Sequence, residues 1–381
     1  MVSGGCGDGE GAAARLLARG RSEASAAAVA AAIQKGGKSE SMVSKLKPIV
    51  DWYRRQPAFA RPSRTLRCRE RQQRLRRATH PSSPANMGER VREPSHAGSW
   101  YTADGPTLSR ELDAHLAAAG KQPRAARALI VPHAGYSYSG PAAAWGYTNV
   151  DPNKVSRVFL LGPSHHVFLR RCALSVCDVH RTPIGDLRVD RDAYDELRAT
   201  GEFVDMDVGI DEAEHSLEMH LPYIRKVFES RPGGPPPLVP VMVGALTPSA
   251  EARFGDIFAP FLDDPANLFV VSSDFCHWGR RFGYTPWEGE EDGTPLHASI
   301  EALDRTAMRI IEAKDADGFE RYLAEKKNTI CGRHPIGVYL RALEKSAGFA
   351  ERIVAFTRYE QSSRARGYDD SSVSYASAVV F

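Results

Sequence analysis

The sequence predicts an α/β fold, one domain with a central, largely parallel or mixed sheet flanked by helices. Apolar runs of strand length stand at residues 128–131, 158–161 and 268–271, and each is continuous enough to be buried on both faces. Each is followed within a few residues by histidine: His133, then His165 and His166, then His277. Stretches of helical character lie between them, giving the strand, helix, strand order of a βαβ unit. Parallel strands bring their carboxyl ends to one edge, where open α/β sheets bind ligands. Three strands ending in histidine therefore predict a site.

Taken in order, residues 95–101 form a compact turn, and Leu108, Leu112 and Leu116 line one face of a helix after Pro106. The strand at 128–131 comes next. Small residues after Gly140-Pro141 allow a closely packed helix before the strand at 158–161. Residues 172–179 and 186–190 read as further strands, with a turn at 181–185 between them. A helix is expected from about Asp211, where Asp211 and Glu214 match the N-cap and N3 positions of a capping box. Residues 238–243 read as a strand in which Pro240 marks an edge or bulge.

A helix at 254–261 precedes the third histidine-bearing strand, and the polar, acidic stretch 279–294 reads as a loop beside the site. Helices at about 296–313 and 317–326 lead to Cys331-Gly332-Arg333-His334-Pro335. Pro335 suits a first helical turn, so Cys331 falls just before a helix N-terminus, where the dipole is expected to lower a thiol pKa. Strands at 352–359 and 373–381 close the chain.

Charge divides the 381 residues unevenly. Residues 1–90 hold 18 Lys and Arg against 7 Asp and Glu, which leaves 32 against 40 for the rest and a net charge of +3 overall. The arginine-dense run 61–77 has no aromatic residues interleaved to stack bases, so residues 1–86 read as a disordered basic leader, and no nucleic-acid role is expected for the folded part. An organelle transit peptide stays open for this leader, although Asp8 and Glu10 count against it. No apolar run reaches the length of a membrane helix, so no membrane insertion is expected. The six cysteines form no C-x-x-C pair and no regular framework, which suits reduced thiols in a cytoplasmic setting. The leader leaves nuclear entry open as well.

The chemistry follows from what the strand ends deliver. Two imidazoles, His133 and His165, with a thiolate from Cys331 would make a facial set suited to Fe(II), Cu(I) or Zn(II). Any single one of these histidines could equally be held by backbone groups at a strand end. Asp274 and His277 suit metal-site support or acid/base work, and strand alternation sends His277 toward the site and Cys276 into the core. In residues 215–220 the histidines stand five apart, so the zinc-protease spacing H-E-x-x-H is not met. Glu214 and Glu218 there read as a solvated or capping face. There is no phosphate-cradling glycine loop, and a nucleotide cofactor is not expected.

Six blocks now coincide in order: S-H-A-G-S-W-Y at 95–101, P-H-A-G-Y-S-Y-S-G at 132–140, L-G-P-S-H-H at 161–166, E-H-S-L-E-M-H-L-P-Y at 214–223, S-S-D-F-C-H-W-G at 272–279 and N-T-I-C-G-R-H-P-I-G at 328–337. Together they resemble the Memo family over about residues 91–381. The resemblance implies a fold like that of class III extradiol dioxygenases, with His133, His165 and Cys331 as ligands for copper or iron and Asp274 and His277 as catalytic pocket residues. Those dioxygenases carry a carboxylate third ligand, and the thiolate of Cys331 changes metal charge and oxygen chemistry, which counts against ring cleavage. A metal-dependent oxidoreductase is the activity left standing.

Animal Memo proteins are signalling adaptors that link an activated receptor tyrosine kinase to cell motility. The resemblance therefore also implies a pocket for a phosphotyrosine or acidic peptide, with Trp100, Tyr138, His166, His277 and Arg281 matching. The segment Met87-Gly88-Glu89-Arg90-Val91-Arg92 resembles the usual family start, which would make residues 1–86 an added leader or an upstream reading frame. Gly88 lacks the downstream hydroxyl residue of a myristoylation signal.

Overall fold

The computed structural model describes residues 88–120 and 125–381. The expected leader at 1–86 lies outside the described residues.

The strands, in chain order, are β1 (Val91–Arg92), β2 (Ala128–Val131), β3 (Arg157–Pro163), β4 (Cys172–Ser175), β5 (Val179–His180), β6 (Leu187–Arg188), β7 (Val204–Met206), β8 (Leu238–Val243), β9 (Asn267–Ser272), β10 (His277–Trp278), β11 (Val354–Gln361) and β12 (Ser372–Val380). The helices are α1 (Gly105–Ala119), α2 (Tyr136–Tyr147), α3 (Arg191–Ala199), α4 (Val208–Ala213), α5 (His215–Glu218), α6 (Leu221–Val227), α7 (Pro248–Asp263), α8 (Leu296–Glu312), α9 (Ala316–Lys326) and α10 (Arg333–Lys345).

The main sheet runs β10-β12-β2-β9-β3-β8-β4-β7, with β11 also paired to β12. Its centre, β2-β9-β3-β8, is parallel, and antiparallel pairs flank it at β12 and β4. The sheet is therefore mixed around a parallel core, as the sequence predicts. The parallel strands are buried on both faces. Ala128 and Ile130 join Phe159, Phe269, Phe254, Phe258 and Leu340 in the core under α7 and α10. Val131 faces the other way, against α2, so close that a Cβ on Gly146 would lie 2.4 Å from its Cγ1. Removing such a surface from water contributes roughly 25 cal/mol per Å² of apolar area.

Several local readings are corrected. Residues 172–179 are not one strand: the chain bends after Ser175, β4 stays in the main sheet, and β5 pairs with β1 and β6 in a separate three-stranded sheet. Helix α2 begins at Tyr136 and takes Pro141 inside it, so Tyr138 lies in its first turn. Pro240 marks no bulge, since its register with β3 is regular. On its other side β4 reaches only as far as Val241, and the Pro240 carbonyl instead accepts the Tyr194 hydroxyl at 2.6 Å. A residue without an N–H fits where the neighbouring strand has ended. The capping box at Asp211 is not formed either, because Asp211 lies inside α4 with its carboxylate buried against Arg92.

Candidate metal centre

Strand order sets the carboxyl ends of β2, β9 and β3 side by side. Two residues past β2, the His133 backbone N–H donates to Asp274 Oδ1 at 2.8 Å, which ties the β2 exit to the β9 exit. The His133 ring is buried and places Nδ1 2.5 Å from the hydroxyl of Ser272, the last residue of β9. That hydroxyl has three partners: His133 Nδ1, His220 Nε2 at 2.8 Å and the Ser216 carbonyl at 2.7 Å. A carbonyl only accepts, so the single hydroxyl proton goes to Ser216 and both imidazoles donate. His133 is thereby the Nδ1–H tautomer, and its Nε2 lone pair faces Cys331 Sγ at 3.1 Å.

His165, two residues past β3, is fixed by one carboxylate at two points. Its backbone N–H donates to Glu214 Oε2 at 2.6 Å and its Nδ1 lies 2.8 Å from Oε1. Burial opposes ionisation of Glu214, but the bonds from His165 hold its carboxyl down at about 2. Nδ1 of His165 is therefore a donor, and the ring stands edge-on to His133 with centroids 5.2 Å apart. Burial alone would lower the His165 pKa; the bonds to Cys331 and Glu214 raise it to about 10. A cation entering here displaces that proton.

Cys331 arrives from the loop before α10, whose N-cap is Gly332. The Asp274 backbone N–H donates to its sulfur at 3.3 Å, and the Gly332 N–H donates to Ser273 Oγ at 3.1 Å. A Cβ on Gly332 would lie 2.3 Å from Ser273 Cβ and 2.4 Å from the Ser272 carbonyl, so only glycine lets this loop reach β9. The expected lowering of the thiol pKa by the helix dipole is not found. Burial pushes it up, and the bond to His165 opposes that only in part.

Of the three residues expected as ligands, His133 is common to two groups, one with His165 and one with Cys331. His215 was missed. His133, His165 and His215 offer ligand atoms within 4.8 Å of one another, as do His133, Asp274 and Cys331. The His215 ring stacks on His165 with centroids 4.5 Å apart and lies 4.4 Å from Trp100. Burial pushes its pKa down to about 3, and its buried Nδ1 has no hydrogen-bond partner. This nitrogen, 3.5 Å from Glu214 Oε1 and without a hydrogen bond, lies beside the imidazoles of His133 and His165 and suits a cation.

Of the two alternatives for Glu214 and Glu218, a solvated or a capping face, the solvated one is overturned, since both carboxylates are buried, and the capping one holds for Glu214. Glu214 caps α5 through the Ser216 N–H while holding His165. Glu218 accepts from Arg92 at 2.7 Å, from the Tyr101 hydroxyl at 2.8 Å and from the His96 backbone N–H at 2.8 Å. Arg92, wholly buried, also pairs with Asp211 at 2.9 Å and donates to the carbonyls of Asp211 and Glu214. This ion cluster fixes the segment that carries Glu214 and His215.

Asp274 is buried, which raises its pKa, and it accepts from the amides of His133 and Ala134. Cys276 is buried with Trp278 and Leu296, whereas the half-buried His277 directs Nδ1 to the carbonyls of Phe275 and Thr329 and packs edge-on to Phe282 at 5.2 Å. His166 is exposed and edge-on to His215 at 6.0 Å. Tyr138 is 59% exposed, and the exposed Arg281 lies over Phe282 at 4.4 Å. A cavity of about 620 Å³ lined by Trp100, Tyr101, His115 and Tyr136 opens behind Trp100. A second, of about 470 Å³, lies behind the Cys331 loop, against Asn328, Thr329 and Arg333.

The family model described as "Memo-like protein" matches residues 92–379. The chain belongs to the Memo family. Curated members share its sequence at high identity: Protein MEMO1 of Homo sapiens is 51% identical over 297 residues, covering 77% of this chain and 99% of the relative. Protein MEMO1 of Xenopus laevis is 52% identical over 290 residues, covering 76% and 97%. Protein memo-1 homolog of Caenorhabditis elegans is 47% identical over 297 residues, covering 77% and 84%. A solved structure of an uncharacterized protein from Escherichia coli K12 aligns with a TM-score of 0.38 and 12% identity, over 65% of this chain and 98% of that one. The Memo match takes in every candidate ligand. Among the described residues no helix is long and apolar enough to cross a membrane.

Proposed function

We propose that this Memo-family chain is an intracellular metal-binding redox protein in which His133, His165 and Cys331 hold copper or iron. The observation that carries the reading is His133 Nε2 facing the Cys331 thiol at 3.1 Å, its ring oriented by Ser272, with the His165 ring, held by Glu214, edge-on beside it. Hydrogen-bonded outer partners of this kind are what metal-ligating histidines need. His215, whose Nδ1 makes no hydrogen bond, stands beside the set as a further donor. A bound copper or iron ion would supply one-electron chemistry.

The chain's own residues do the rest. Ser272 keeps the proton off the His133 nitrogen that faces the thiol, Glu214 holds the His165 ring through Nδ1, and His215 stacks on that ring. Asp274, held protonated more readily by burial, and His277 are the groups placed to exchange protons with a bound substrate. Residues 87–381 carry this function in our reading, with 1–86 a basic leader, and the free thiols of Cys172, Cys177, Cys276 and Cys331 suit the reducing cytoplasm.

Elemental analysis of anaerobically purified protein tests the proposal. Near-stoichiometric iron or copper, lost in His133→Ala and Cys331→Ser, is expected. Absence of metal from the wild type after reconstitution would overturn it.

A second reading, an adaptor pocket for a phosphotyrosine or acidic peptide, is favoured by Arg281. This exposed guanidinium pairs with no carboxylate among the described residues and lies over the Phe282 ring. Loss of phosphopeptide binding in Arg281→Ala, with metal content unchanged, would support it; phosphopeptide binding that survives the substitution would not.

A further inference from the structure

From the back of the proposed site a chain of three hydrogen bonds leads into the core. His133 Nδ1 meets Ser272 Oγ at 2.5 Å, Ser272 Oγ meets His220 Nε2 at 2.8 Å, and His220 Nδ1 meets the Tyr147 hydroxyl at 3.0 Å. Since His220 donates through Nε2 to Ser272, its Nδ1 is an unprotonated acceptor. Burial keeps this imidazole neutral, with its pKa pushed down to about 3. Tyr147 therefore donates to a neutral nitrogen base.

Three neighbouring tyrosines lack this arrangement. The Tyr223 hydroxyl gives its one proton to the Gly140 carbonyl at 2.7 Å, so His115 Nδ1 at 3.1 Å donates to it rather than accepting, and the hydroxyl of Tyr136 donates to the Met219 carbonyl at 2.7 Å; a carbonyl is a poor proton acceptor. Tyr101 donates to Glu218, a carboxylate already held by Arg92 and His96. Tyr147 is 1% exposed and stacks on Tyr223 with ring centroids 4.8 Å apart, shielded from solvent quenchers.

On the metal reading above, we infer that Tyr147 is a one-electron donor to the His133, His165 and Cys331 site, with His220 as its proton acceptor. The phenolic O–H bond breaks, the electron goes to the oxidised site, and the proton forms an N–H bond at His220 Nδ1. A neutral phenoxyl radical remains beside an imidazolium. Hydrogen peroxide is the co-oxidant: with two protons from solvent it takes one electron from each of two reduced sites and becomes two waters, and each oxidised site then takes one electron from its own Tyr147.

The test uses full-length protein labelled with ring-deuterated tyrosine, loaded anaerobically with iron or copper, mixed with hydrogen peroxide and frozen for electron paramagnetic resonance. A tyrosyl signal whose width changes with the label is expected in wild type, Tyr223→Phe and Tyr136→Phe, and its loss is expected in Tyr147→Phe at unchanged metal stoichiometry. Loaded wild type without a tyrosyl signal, an undiminished signal in Tyr147→Phe, or its disappearance in Tyr223→Phe or Tyr136→Phe would overturn the assignment to Tyr147. Protein that fails to take up metal would instead overturn the metal reading, and the relay with it.

Discussion

Ser272 Oγ stands 2.5 Å from His133 Nδ1 and gives its only proton to the Ser216 carbonyl, so one serine fixes which nitrogen of His133 faces Cys331. Ser272→Ala leaves the Cys331 side of the pocket intact while releasing the ring. Metal affinity is expected to fall about 10- to 100-fold, the usual cost of losing such a partner. Competition titration against a chelator measures it, and an unchanged affinity would remove Ser272 from the account.

The Arg92 cluster predicts a stability effect far from any ligand. Arg92→Met leaves the buried carboxylates of Asp211 and Glu218 without their cation, and breaking such a pair costs roughly 3 to 5 kcal/mol. Urea unfolding of the metal-free protein measures this loss. The Glu218 carboxyl, against its burial, is held at about 2 by bonds from His96 and Arg92. Its stabilising contribution is present above the ordinary carboxyl range and is lost as pH falls toward 2.

Asp304 predicts the opposite slope. Burial raises its pKa to about 6 although it accepts from the Cys276 amide, Asn328 and Tyr359. The folded state then holds a proton that the unfolded state has released, so this group loses stability as pH rises from about 4 through 6. At about 1.4 kcal/mol per unit the effect reaches about 3 kcal/mol. Buried His180, pushed down to about 4, and His220 contribute with the other sign, gaining stability as pH rises to 6.5. Asp304→Asn should therefore steepen the rise in unfolding free energy between pH 4 and 6; an unchanged slope would contradict the assignment.

Gly332→Ala forces a Cβ to 2.3 Å from Ser273 Cβ, and overpacking of this kind costs roughly 1 to 3 kcal/mol. Because the displaced loop carries Cys331, weaker metal binding should accompany the lowered melting temperature. Gly209→Ala, where a Cβ meets nothing within 4 Å, is the control.

The fold was legible because its parallel strands are buried on both faces, so continuous apolar runs marked 128–131, 158–161 and 268–271 without any need for alternation. Site residues at strand ends came with them, since parallel topology alone brings His133, His165 and Asp274 together. What stayed hidden is held by partners remote in sequence. Glu218 and Arg92 stand 126 residues apart, and nothing local to E-H-S-L-E-M-H shows that an arginine neutralises that segment. His215 was set aside on a spacing rule for a continuous helix, but Glu214 at φ −88° and ψ 125° separates α4 from α5. The adjacency of Glu214 and His215 is the signal available. Pro240 suggests an edge or a bulge, and sequence does not show that the first applies here because pairing with the neighbouring strand ends at Val241.

The central claim is that Cys331 joins His133 and His165 on one metal ion, and X-ray absorption at the edge of the bound metal tests it most directly. The account predicts a sulfur neighbour at a bond length of about 2.3 Å, as for other metal thiolates, that vanishes in Cys331→Ser. A shell of nitrogen and oxygen alone, unchanged by Cys331→Ser and altered by His215→Ala, would contradict it and make the site a cluster of three imidazoles.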